Sequence, residues 1–193
     1  MRGFLSQRRC EEIKAQVVEM FEECEVHSCP IDPFYIAEKL YYIIRPYSKL
    51  EYHEHIEALM ISEDGFSRVE FIPGWGNRYV IYYNDAELNE GRVRWTLFHE
   101  IGHCYLGHHD NLDDSLHDIE EQEANLFAKN AIAPPPLIAK LNCDCPRAVA
   151  SHFETSQQAA DFIYIYYEKW RDFGSRYYTD YEMKLLRMFG FAA

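Results

Sequence analysis

Long apolar runs are missing from this chain of 193 residues. No stretch approaches the roughly 18 apolar residues that cross a bilayer as a helix, which excludes a helical membrane span. The first residues, MRGFLSQRRCEEIK, hold no apolar segment of the kind a secretory leader needs, so the expected setting is the cytoplasm. Positive charge is scarce too: 19 lysines and arginines stand against 32 acids, for a net charge of −13. Phosphate backbones repel such a chain, so direct nucleic-acid binding is not expected, whereas a basic protein partner would be attracted. The six cysteines form no pair of C-x-x-C knuckles, which argues against a four-cysteine zinc site. Without a leader they are expected to stay reduced. Repeats and low-complexity tracts are also missing, and nothing specifies an oligomeric state.

What is present is the composition of a folded domain. Hydrophobic residues make up 48% and aromatics 16%, enough to build a core. Residues 8–24 place Ile13, Val17, Met20, Phe21 and Cys24 at helical spacing. Asp32 and Pro33 look like the cap and first-turn proline of a second helix. Segments 41–47, 56–62, 68–72 and 79–84 are rich in Tyr, Ile and Val between turn signals, and predict short strands. Helices are expected over about 91–106 and 116–133, the second halted by Pro134-Pro135-Pro136, with further helices at RAVASHF, SQQAADFIYIYYEKW and YEMKLLRMF.

Chemistry concentrates in WTLFHEIGHCYLGHHD, residues 95–110, which carries four histidines within a hydrophobic frame. His99, Glu100 and His103 form H-E-x-x-H. Residues four apart share a helix face, so the two imidazoles can grip one metal ion. Glu100, one position on, is placed to act on water at that ion rather than to ligate it. Nitrogen and carboxylate ligands with an open position suit zinc. Two residues compete for the third ligand. His109 lies at the metzincin spacing, but Leu106 occupies the position where that pattern needs glycine. Glu121, on the second helix, is followed one turn later by Asn125, which is suited to orient a ligand histidine, and by the small Ala124 and Ala128. Glu120 and Glu123 point elsewhere and are expected in solvent, but remain the fallback ligands if the helix is rotated. Cys104 should turn into the core. His108, His109, His117, Tyr105 and Tyr178 are near enough in sequence to stabilise an oxyanion, and none is assigned; for the histidines, a surface position is the ordinary reading. RYVIYYN offers either a sheet edge for an extended substrate or an internal strand.

RVRWTLFHEIGHCYLGH, EQEANLFAKNAIAPPP and HFETSQQAADF, in that order, resemble the ImmA/IrrE family of metallo-endopeptidases. The resemblance covers roughly residues 30–165. It implies zinc on His99, His103 and Glu121, with Glu100 as catalytic base. It also implies a protein substrate: a basic helix-turn-helix repressor of a mobile element or stress response. The expected fold is α+β, a zincin-like domain with a small, mostly antiparallel sheet packed on the active-site helix and additional C-terminal helices. The expected organisation is an N-terminal helix over 1–29, a metallopeptidase core over 30–136, and a C-terminal helical extension over 137–193. The competing reading is a zinc-binding regulatory module that docks on a transcription regulator and cuts nothing, for which Glu100 would be unnecessary.

Overall fold

The computed structural model describes residues 5–87, 89–110 and 116–192. The first helix, α1 (Gln7–Glu23), opens where the Ser6 side chain accepts from Arg9 N, and it buries Ile13, Val17, Met20 and Phe21 along one stripe. α2 (Pro33–Lys39) begins with the Asp32 cap and proline that its sequence predicts. Strands β1 (Ile43–Pro46), β2 (Gly65–Ile72) and β3 (Gly76–Tyr83) follow, with α3 (Tyr52–Ile61) between the first two. The remainder is helical: α4 (Glu90–Tyr105), α5 (His117–Ile132), α6 (Pro135–Lys140), α7 (Pro146–Phe153), α8 (Gln157–Phe173) and α9 (Asp180–Met188). The molecule is therefore α+β, a small sheet packed on α4 with further helices after it.

The sheet order is β1-β3-β2, with β1 parallel and β2 antiparallel to the central strand. Side chains alternate across β3 as the pleat requires. Ile81 enters the main core, while Val80 and Tyr82 join Tyr47 and Ala58 in a small second cluster. The main core is continuous: Phe21 of α1, Phe98 of α4, Phe127 of α5, Ile163 of α8 and Leu186 of α9 all belong to it. Burying each such side chain contributes about 1.5–3 kcal/mol.

One expectation changes, one is extended and one open alternative is resolved. Residues 56–62 are not a strand but lie mostly in α3, because Glu54 accepts from Glu51 N at the helix start and Glu57, Ala58, Leu59 and Met60 favour helix. Only Ala58 of that helix is buried, so local preference rather than packing decides the outcome. The three prolines do more than stop α5: they open α6, where a missing N–H costs nothing. RYVIYYN is the central strand, paired on both sides, so it offers no free edge; among the described residues, the strand beside α4 with an unpaired side is β2.

α4 and α5 approach each other across Gly102. A Cβ at that position would lie 3.1 Å from Phe127 Cδ1 and 3.2 Å from its Cβ. Ala124, Ala128 and Ala131 of α5 are likewise fully buried and small. Interhelical distance follows the side chains at the contact, so this spacing is set by glycine and alanine. Gly102→Val is expected to lower unfolding free energy by about 1–3 kcal/mol through overpacking. Urea denaturation of the purified variant measures this, and an unchanged midpoint would show that Phe127 can give way.

Candidate metal centre

α4 presents two faces. Leu97, Phe98, Ile101 and Cys104 enter the core, while His99, Glu100 and His103 line a cleft of about 560 Å³. Across it stand Gly65, Phe66 and Ser67 of β2, and Glu121 and Asn125 of α5 form another wall. The Nε2 atoms of His99 and His103 lie 3.0 Å apart. Glu121 Oε2 is 3.4 Å from His99 Nε2, and its Oε1 is 3.2 Å from His103 Nε2. Ligands about 2.0–2.1 Å from a tetrahedral zinc would sit roughly 3.3 Å apart, so the three donors already have the separations such an ion needs. Two ring nitrogens this close repel unless a proton or cation lies between them. Two imidazoles and a carboxylate therefore fit zinc in both chemistry and spacing. Among the described residues, this trio is the group that could hold a metal ion.

The electrostatics agree with a site built for positive charge. Hydrogen bonds from His103 and His99 hold the Glu121 carboxyl far below its ordinary range. Burial works to lower His99, but Glu121 and Glu100 outweigh it and leave its pKa raised. Glu100 is buried, and its Oε2 accepts from Ser67 Oγ at 2.7 Å. Having given its one proton to Glu100, Ser67 accepts from His109 Nε2 at 2.9 Å. His109 is thus engaged on the β2 side of the cleft rather than with the metal donors. Asn125 donates Nδ2 to the Glu121 carbonyl at 2.7 Å, and its side chain also favours charged His99. The buried Nδ1 of His99 itself has no hydrogen-bond partner among the described residues.

A family model, described as the IrrE N-terminal-like peptidase domain, matches residues 53–162. The chain belongs to the ImmA/IrrE family of metallopeptidases. No curated protein matches it significantly. The region common to the family runs from α3 into α8 and holds the whole cleft, while α1, α2 and β1 precede it. Family membership implies a metal, and a protein as substrate.

Two expectations about neighbouring residues are overturned. Glu123 is not in solvent but only 7% exposed; it receives Arg9 Nε at 2.7 Å and Arg9 Nη2 at 2.6 Å. Burial raises its carboxyl, yet Arg9 and His108 outweigh burial and hold it below the usual carboxylate range. His108 is not on the surface either, and burial pushes its pKa down. Gly107, at φ +75°, ends α4 and turns the chain so that His108 comes back against His103. Both residues stand inside the family-like motifs, as the last histidine of HEIGHCYLGH and the second glutamate of EQEAN; that was the available signal. Ser67 gave a weaker one, the single hydroxyl of its strand, set between Phe66 and Arg68. Tyr105 donates to Glu23, and Tyr178 stacks on Trp170, away from the cleft, whereas His117 lines it. Cys104 is buried, and burial pushes its thiol well above the ordinary range, so it stays protonated and unreactive. All six cysteines are free thiols. No described helix is long and apolar enough to cross a membrane.

Glu121→Ala is expected to weaken zinc binding strongly, because a facing donor is lost, and His109→Ala to leave it nearly unchanged. Zinc titration of metal-free protein against a chelator of known affinity reads both. The reverse ranking would place His109 on the metal.

Proposed function

We propose that the protein is a zinc-dependent endopeptidase in which His99, His103 and Glu121 hold the metal and Glu100 is the catalytic base. The observation that carries this reading is the set of donor separations, 3.0–3.4 Å, beside a buried carboxylate on the same cleft. When bound, zinc supplies Lewis acidity, which acidifies water and polarises a peptide carbonyl. Glu100 takes the proton of the attacking water and delivers it to the departing amine. Ser67 fixes which oxygen of Glu100 is free for this, since Oε2 is occupied by its hydroxyl. An extended segment of substrate pairs along the outer edge of β2, beside Glu100, where main-chain groups fix its direction.

The substrate class we infer is a basic DNA-binding repressor of the helix-turn-helix type, serving a mobile element or a stress response, in the cytoplasm. Two features support it: the family, and the net charge of −13, which draws a basic partner and repels nucleic acid itself. Asn125, one turn beyond Glu121, is assigned the task of orienting the ligand set.

The deciding experiment incubates purified protein with a repressor encoded next to its gene, with and without chelator. Cleavage is expected only without chelator. Glu100→Gln is expected to retain zinc and fold while cleavage disappears, because the residue is not a ligand. Cleavage at near wild-type rate in that variant would remove Glu100 as base. Docking without cleavage by the zinc-loaded wild type would favour the regulatory-module reading.

A further inference from the structure

A second line of polar groups runs from His103 through His108, which also lines the cleft, to Glu123 and Arg9 outside it, and ends on a different helix. His103 Nε2 faces Glu121 and His99, so its other nitrogen, Nδ1, is left to the interior. That atom lies 3.0 Å from Nδ1 of His108. Nε2 of His108 lies 3.1 Å from Glu123 Oε2, and Arg9 grips both Glu123 oxygens. The His108 and Glu123 side chains are only 5% and 9% exposed, so water competes little for the bond between them.

We propose that His108, Glu123 and Arg9 are positioning residues that fix the tautomer and aim of His103 for metal binding. The inference rests on His103 being a ligand, as read above. Each proton then has one possible place. A ligand Nε2 must carry its lone pair, so the His103 proton sits on Nδ1 and is donated to His108. His108 accepts at Nδ1 and therefore carries its own proton on Nε2, which it donates to Glu123. Arg9, with donors only, closes the chain and keeps Glu123 an acceptor. Swapping any link would set two donors or two lone pairs against each other inside the protein. Arg9 lies far before residue 53, where the family match begins, so the last link is supplied by α1, outside the matched domain.

The test is zinc affinity of folded, metal-free protein, titrated in competition with a chelator, with unfolding followed in parallel. His108→Leu removes both hydrogen bonds and is expected to lose 10- to 100-fold in affinity, as the loss of such supporting partners does. His108→Gln can still accept from His103 and donate to Glu123, and is expected to stay within about 3-fold of wild type, well short of that loss. Glu123→Gln, which keeps volume, sets an amide donor against Arg9 and is expected to lose about 10-fold; it serves if His108→Leu does not fold. A purely structural network would change unfolding and leave the affinity of the folded protein alone. Wild-type affinity in His108→Leu or Glu123→Gln, or equal losses in His108→Leu and His108→Gln, would overturn the proposal. Wild-type protein that takes up no zinc would instead defeat the metal reading on which it rests.

Discussion

The close approach of α4 and α5 is the constraint from which the site follows. Two of the three candidate donors stand on α4 and one on α5, so the separation of Glu121 from the two histidines is set by the distance between two helix axes. Gly102 and the buried alanines of α5 set that distance with the smallest side chains available. A larger residue would act on the site through geometry alone, without touching a donor. Interiors at crystal-like density transmit such shifts instead of absorbing them.

Around that contact, most buried polar groups are matched in sequence, the Nδ1 of His99 being an exception among the described residues. An unsatisfied buried group costs about 1–3 kcal/mol, and more if charged. Glu100 is met by Ser67, Ser67 by His109, His108 by His103 and Glu123, and Glu123 by Arg9. The chain is strongly acidic as a whole, yet at this point it brings an arginine 114 residues across the sequence to a buried carboxylate. The Glu123–Arg9 pair also ties α1 to α5 directly. Removing one partner of such a pair would leave a charge without its counterpart in a poorly solvated place.

Much of this was legible in the sequence because it obeys local rules. H-E-x-x-H on a helix needs only the spacing of four; the Asp32-Pro33 helix start and the Tyr, Ile and Val content of 79–84 are equally local. What was hidden depended on distant partners or on competition between weak preferences. The segment 56–62 carries residues acceptable to strand and helix, and a charged residue at its entrance decided the matter. The central place of β3 could not be read because β1, its parallel neighbour, reaches it from the far side of α3 and β2. Glu123 reads as one more acid in an acidic helix start until Arg9 is seen beside it. His108 needs Gly107 to turn the chain before it can face inward.

The unpaired edge of β2 has a consequence for the kind of protein the cleft can process. A strand edge recognises peptide N–H and C=O groups, and in a folded helix those groups are already bonded to each other. On the proposed reading, a target must unwind or expose a loop before it can lie along Gly65–Ser67. The rate at which a target is cut would then follow how often that segment opens, a property of the target's local stability more than of its sequence.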